Sequence, residues 1–151
     1  MPCMTAPIFV DTNVLVYSRD ARDTAKQKRA HDALSFLWRT KLGRLSFQVL
    51  NEYYVTVTKK LKPGLDRDSA RADVRDLLAW KPQTHTDSSL KLAFDIESRY
   101  SVSWWDSLIL SSAMEASCDT VYSEDLQHGM RFGGVTVINP FHLEFSLPTL
   151  S

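Results

Sequence analysis

Four carboxylates are the side chains best placed to do chemistry: Asp11, Glu52, Asp106 and Asp125. Asp11 closes the apolar run Pro7-Ile8-Phe9-Val10, and Asp125 follows Thr120-Val121-Tyr122 by way of Ser123-Glu124. Each run suits a short buried strand. A carboxylate just past the end of a parallel strand sits where open α/β sheets bind ligands. Glu52 stands three residues after Val49 on a strongly apolar helix, on or beside its buried stripe. Asp106 follows Trp104-Trp105 and opens the helical run Ser107-Leu108-Ile109-Leu110. If the two strands are parallel neighbours, all four acids can meet in one crevice. Carboxylate oxygens alone suit Mg²⁺ or Mn²⁺, whereas zinc wants His or Cys. His31, His85, His128 and His142 are too dispersed to form a zinc set. Acids crowded without a cation raise one another's pKa, and a bound cation removes that repulsion. The chemistry such a cluster supports is metal-assisted cleavage of a phosphodiester.

Each acid also has an ordinary explanation. Asp before Thr12-Asn13 is a common helix cap or turn. Asn13, standing where a second Asp would be needed, argues against phosphoaspartyl transfer. Glu52 could be a rim glutamate reaching water or pairing with a lysine. An acid at Asp106 is favoured by the helix dipole, although Ser103 is the better cap. Asp125 could be a turn residue, with Glu124 pointing away from it as the exposed acid of the pair. Trp104 could stack on a base, but core packing is the better expectation for it and for Trp105.

The elements that must position these residues alternate in type. Ile8-Phe9-Val10 is the first strand, with Thr12 or Asn13 capping a helix from Val14. A helix from Thr24 carries the stripe Ala30, Ala33, Leu34, Leu37 and Trp38 and stops before Gly43. Leu45 and Phe47 read as a very short strand or, through Ser46, as the cap of a helix running to about Leu61. Pro63-Gly64 ends it. Asp66 or Asp68 caps the next helix, closed by Trp80 and Pro82. Gln83 to Thr86 is weakly strand-like. Asp87-Ser88-Ser89 caps a helix reaching Tyr100, and another runs from Trp104 to near Cys118. Residues 126–134 read as loop, and Val135-Thr136-Val137-Ile138 is the last strand. Short strands separated by helices imply a parallel sheet flanked by helices. The fold class is therefore α/β, one domain over 1–151, with residues 1–6 and 145–151 as loose tails.

At 151 residues the chain is long enough to bury a sizeable core. It holds no apolar run near the ~20 residues a bilayer span needs and no signal-peptide pattern. Cys3 and Cys118 read as reduced thiols of a cytoplasmic protein. The net charge is zero, but the charge is unevenly spread. Residues 1–75 carry 14 Lys/Arg against 8 Asp/Glu, and residues 76–151 carry 4 against 10. A basic half hints at a polyanionic partner, though each lysine alone reads as part of a solvated helix face.

Taken together, the segments Phe9-Val-Asp-Thr-Asn-Val-Leu15, Asn51-Glu52, Trp105-Asp-Ser-Leu-Ile109, Tyr122-Ser-Glu-Asp-Leu-Gln-His-Gly129 and Val137-Ile-Asn-Pro-Phe141 resemble the PIN-domain family. The last blocks look like the VapC-type toxins of bacterial toxin–antitoxin pairs. The resemblance implies a compact α/β/α fold and an Mg²⁺-dependent ribonuclease, with Mn²⁺ as an alternative ion. It also implies a homodimer neutralised by a cognate antitoxin. Asp11, Glu52, Asp106 and Asp125 match the family's acidic quartet. Three of them, Asp11, Asp106 and Asp125, would bind the metal, with Glu52 completing the catalytic set. Ser123 and Asn13 match polar positions that orient water or a carboxylate from behind. Ser107 departs from a frequent alanine. Two other readings fit the same acids: a non-catalytic module whose acidic pocket docks a basic partner segment, and a structure-specific DNA nuclease.

Overall fold

The computed structural model describes residues 6–150. Its centre is a five-stranded sheet built from β1 (Ile8–Val10), β2 (Gly43–Arg44), β3 (Thr120–Tyr122), β4 (Arg131–Phe132) and β5 (Val135–Ile138). The spatial order is β2-β1-β3-β5-β4. All neighbours run parallel except β4 against β5. Three-residue strands such as β1 are viable because both faces are covered: Ile8, Phe9 and Val10 are all buried. The helices are α1 (Thr12–Tyr17), α2 (Thr24–Thr40), α3 (Phe47–Val55), α4 (Arg67–Leu77), α5 (Asp87–Tyr100) and α6 (Trp104–Glu115).

The strand order decides where a site can form. From β1 the chain crosses over to β2 on one side, whereas β3 continues to β5 on the other. The loops leaving β1 and β3 therefore part at a switch point, and the crevice between them lies at the carboxyl edge of the sheet. Ile8 pairs with Thr120 and Val10 with Tyr122, so the two strands end level. The Asp11 N–H continues the ladder to the Tyr122 carbonyl at 2.9 Å, and the Ser123 N–H to the Ile138 carbonyl at 3.1 Å.

Several local expectations change. The cap of α1 is Asp11 itself, not Thr12 or Asn13; its carboxylate accepts from the Thr12 N–H. The second strand is Gly43–Arg44 rather than Leu45–Phe47, and Ser46 caps α3 through the Val49 N–H. The helix after Ser46 is α-helical only to Val55, and one π turn, Thr56–Lys60, completes it. Thr86, not Asp87, caps α5, with Ser89 closing a reciprocal capping box. Gln83 makes only an isolated parallel bridge to Ser46. Within the expected 126–134 loop, Arg131–Phe132 forms an edge strand, because Phe132 is drawn into the core against Tyr100. Phe145 lies edge-on to Tyr122 at 5.6 Å, which ties the C-terminal segment to the core at that point. Cys3 lies outside the described residues; Cys118 is a free, buried thiol. No helix among the described residues is long and apolar enough to cross a membrane.

The hairpin of α5 and α6 presents Asp106. The Ser103 hydroxyl accepts from the Asp106 N–H at 3.1 Å and caps α6. Inside the hairpin, the buried Ser111 hydroxyl donates to the Ser89 carbonyl at 2.9 Å. Ser103→Ala leaves that first turn uncapped and is expected to cost about 1 kcal/mol in urea unfolding. Ser103→Asp should restore most of it.

Candidate active site

Asp11 anchors the crevice. It is only 4% exposed and has three hydrogen-bond donors. The Thr12 N–H reaches Oδ1 at 2.8 Å, the Ser123 hydroxyl reaches Oδ2 at 2.8 Å, and the Asn13 amide reaches Oδ2 at 3.3 Å. Burial raises its pKa to about 6. The bonds from Ser123 and Thr12 pull it down, and the charges of Asp125 and Glu52 push it up. Asp106 is raised in the same direction, first by burial and then by Asp125 and Glu52, with Ser103 opposing. Asp125 and Glu52 therefore lie within electrostatic reach of both the other acids. The crevice gathers carboxylates from β1, α3, α6 and the loop after β3.

Ser123 links two of those elements. Its hydroxyl donates to Asp11 and accepts from the Asp125 N–H at 3.1 Å. Asn13 joins them from the other side, its carbonyl accepting from the Glu124 N–H at 3.0 Å. The two polar residues singled out in the sequence thus hold the β1 and β3 loops in one relative position. Glu52 is fixed at both oxygens: Oε2 accepts from the Thr12 hydroxyl at 2.7 Å and Oε1 from the Gln48 amide at 3.0 Å. The Gln48 bond is a local i,i+4 contact within α3, whereas the Thr12 bond depends on how α1 and α3 lie against each other and gave no sign in the sequence pattern.

Two expectations are corrected here. Glu124 is not the exposed acid of its pair. It is half-buried, ion-paired with Lys26 and bonded to the Tyr17 hydroxyl at 3.1 Å, whereas Asp125 is exposed. Glu124 turns back onto α1 and α2, where Tyr17 and Lys26 hold it. The two tryptophans also behave differently. Trp104 stacks on Phe94, centroids 5.4 Å apart, while Trp105 is 62% exposed. A residue just inside a helix N-terminus has its side chain directed by the helical rotation, and the buried stripe of α6 begins only at Ser107.

The donor set has the chemistry of a hard-cation site. Among the described residues none of the four acids has a Lys, Arg or His ion-pair partner; the ion pairs present use Asp73, Asp20, Glu124 and Asp32 instead. Three uncompensated carboxylates near a buried fourth are costly in the absence of positive charge. Among the described residues no three acidic, histidine or cysteine side chains stand close enough to grip an ion between them. Asp125 and Glu52 stand at electrostatic range of Asp11 and Asp106. Oxygen-only carboxylate donors of this kind have the chemistry of Mg²⁺ or Mn²⁺ ligands rather than of zinc ligands.

The fold is shared with solved structures. A toxin of Mycobacterium tuberculosis described as VapC20, which cleaves the sarcin–ricin loop, superposes with a TM-score of 0.57 at 21% identity, over 77% of this chain and 88% of that one. The DNA-bound VapBC complex of Salmonella typhimurium gives 0.63 at 15% identity, over 90% and 99%. VapBC2 of Rickettsia felis, bound to a promoter DNA fragment, gives 0.58 at 14%, over 87% and 97%. No curated protein sequence matches the chain. The PIN domain family model matches residues 8–129, which include all four acids and both strand-end loops. The chain belongs to the PIN domain family.

Proposed function

We propose that this PIN domain is a metal-dependent endoribonuclease of the VapC kind, a toxin held inactive by a cognate antitoxin. What supports the reading is that the charges of Asp125 and Glu52 act on both Asp11 and Asp106, and that among the described residues none of the four acids has a positive ion-pair partner. The comparisons support it, since structurally similar proteins include a VapC toxin that cleaves the sarcin–ricin loop and two VapBC complexes.

Asp11, Asp106 and Asp125 would hold Mg²⁺ or Mn²⁺, which when bound supplies an activated water and neutralises charge on the phosphate. This chain's own residues supply the positioning. Ser123 and Asn13 keep Asp11 and the Asp125 loop in register. Thr12 and Gln48 hold the Glu52 carboxylate toward the site, where it can accept a proton from water. Of the basic residues, Lys26 and Lys28 are used in ion pairs with Glu124 and Asp32. Lys59 and Lys60, in the π turn that follows α3, and Lys62 just beyond it are exposed and remain for RNA phosphates. A homodimer, as the family resemblance implies, belongs to the same proposal.

Purified protein freed of any antitoxin should cleave single-stranded RNA with Mg²⁺ or Mn²⁺ and stop when the metal is chelated. Asp125→Asn should keep the fold, by circular dichroism, and lose at least about a thousandfold in rate, the several kcal/mol a metal site contributes. Equal cleavage in excess chelator would remove the metal from the mechanism. Faster cleavage of DNA than RNA would favour the DNA-nuclease reading. No cleavage of either, with tight binding of a basic peptide, would favour the docking module.

A further inference from the structure

Asp125 lacks the support that the other acids have. Asp11 and Glu52 are fixed by hydrogen bonds to their carboxylates, and Asp106 rides on the first turn of α6. Asp125 is exposed, sits in a loop, and its carboxylate accepts no hydrogen bond among the described residues. Its place at the crevice therefore depends on its neighbours in the chain. Ser123 and Asn13 hold the start of the loop. A turn after β5, residues 139–142, grips it at two further points.

The turn closes on itself. The His142 N–H donates to the Asn139 carbonyl at 3.1 Å, and the Phe141 N–H to Asn139 Oδ1 at 2.8 Å. Asparagine forms turns by bonding the backbone two residues on in this way, and Pro140 fixes the φ between them. Helix α2 carries the turn: the Arg29 guanidinium donates to the Pro140 and His142 carbonyls at 3.3 and 2.8 Å. At the Glu124 end of the loop, Phe141 lies edge-on to Tyr17, centroids 4.9 Å apart, with its ring 5.4 Å from the Lys26 ammonium. Tyr17 and Lys26 are the two groups that hold the Glu124 carboxylate. At the other end, the His142 ring stacks on His128, centroids 4.0 Å apart and planes 13° from parallel. His128 Nδ1 also accepts from the Asn139 N–H at 3.0 Å, so loop and turn are joined by a bond as well as a stack. His142 Nδ1 accepts from the Glu144 N–H at 3.2 Å. An accepting Nδ1 puts the ring proton on Nε2, and in that form both rings are uncharged and lie face to face without repulsion.

We infer that residues 139–142 form a clasp that presents Asp125. The clasp fixes Glu124 on one side and His128 on the other, and so keeps the Asp125 carboxylate at the crevice before any cation arrives. A loop residue ordered in advance spares binding that entropy cost. Anchoring of the segment to the core is supplied nearby by the buried Pro140 and by Phe145 against Tyr122; Arg29 and the two histidines serve the loop. Arg29, His128, Phe141 and His142 are positioning residues, since they act through Asp125. The inference rests on the metal-dependent nuclease reading and assigns the residues that make its loop ligand ready.

The test uses the full chain, wild type and the variants His142→Ala, His142→Phe, His128→Asn and Arg29→Met. Amide hydrogen exchange is followed by NMR in chelator at Glu124 and Asp125, whose N–H groups bond to Asn13 and Ser123. Mn²⁺ affinity is measured by calorimetry without RNA, and RNA cleavage across a Mn²⁺ titration. His142→Ala should speed exchange at both amides. It should also weaken Mn²⁺ binding about ten- to a hundredfold, the usual cost of losing the support behind a metal ligand. Its cleavage rate should fall by a similar factor at low Mn²⁺ and recover at saturating Mn²⁺. His142→Phe keeps the stack and should restore most of the affinity. His128→Asn keeps the acceptor without the stack and should fall between. Arg29→Met leaves both rings in place and should weaken Mn²⁺ binding in the same direction, so it carries the test if His142→Ala does not fold.

Unchanged exchange and unchanged Mn²⁺ affinity in His142→Ala and Arg29→Met would overturn the clasp and leave the nuclease reading standing. So would a loss of cleavage that saturating Mn²⁺ does not recover and that His142→Phe shares, since that is the mark of a general loss of structure. If the wild type binds no Mn²⁺ and cleaves no RNA, the nuclease reading fails by itself. The exchange arm then decides the clasp alone: faster exchange in His142→Ala but not in His142→Phe upholds it, and equal exchange overturns it.

Discussion

Asp11→Asn is expected to abolish metal-dependent cleavage and, without divalent metal at pH 7.5, to make the protein more stable. The reason is the raised pKa of Asp11, about 6 against an ordinary 3.8. A carboxyl whose folded pKa lies above its unfolded value favours the fold in its neutral form. That contribution is fully present below pH 3.8 and is lost as pH rises through about 6. The rise corresponds to about 3 kcal/mol. Asparagine is neutral throughout, and its side-chain oxygen can still accept from the Thr12 N–H. It has to compete with Asn13 for the Ser123 hydroxyl, so the gain should be nearer 1–2 kcal/mol, or about 3–6 °C in Tm for a domain of this size. In chelator, the melting curves of wild type and variant should be closest near pH 4, diverge up to about pH 6 and stay parallel above. Mg²⁺ should stabilise the wild type at pH 7.5 and leave the variant unchanged, because only an ionised Asp11 can help bind it. Cleavage by the wild type should fall as pH drops through 6, since Asp11 and Asp106 are both raised and both must lose their protons. Equal stability of the two proteins across this range would show that Asp11 is not held in an unfavourable ionised state. The acid would then be an ordinary cap.

Trp80→Ala should be the largest single loss of stability, about 3–5 kcal/mol by urea unfolding. Trp80 is 3% exposed and lies against Gly43 of β2 so closely that a Cβ at position 43 would stand 2.7 Å from its ring. Trp38 of α2 covers the ring from another side, centroids 5.0 Å apart. The effect should extend to the site. The chain after Trp80 is stitched to the start of α3 by bonds from the Gln83 N–H to the Leu45 carbonyl and from the Phe47 N–H to the Gln83 carbonyl, at 3.0 and 3.1 Å. That helix carries Glu52. The companion test is Gly43→Ala, expected to cost about 1–3 kcal/mol from overpacking. In a Trp80→Leu background the same change should be nearly neutral, because the clashing ring is gone. If Gly43→Ala costs the same in both backgrounds, the close approach does not account for the glycine.

The positions of the four acids were legible in the sequence for physical reasons that are local. Asp11 and Asp125 follow runs that are apolar or β-branched on both sides, and such runs form strands of a covered parallel sheet. Glu52 interrupts an apolar helical stripe, and Asp106 sits three residues after a serine that can cap. The α/β class, the helix from Thr24 and the Ser103 cap follow from the same short-range rules. What the sequence could not contain was the strand order. Neither Val10 nor Tyr122 carries information about which neighbour it will have, yet the pairing of β1 with β3 brings Asp11 within a hydrogen bond of Ser123, 112 positions away. Tertiary packing also decided the fate of similar neighbours. Glu124 went to Lys26 while Asp125 stayed at the crevice, and Trp104 packed on Phe94 while Trp105 faced solvent. Adjacent residues of like type have the same local propensity. Only the direction in which the loop or helix leaves the core distinguishes them, and that direction is set by contacts between elements far apart in the chain.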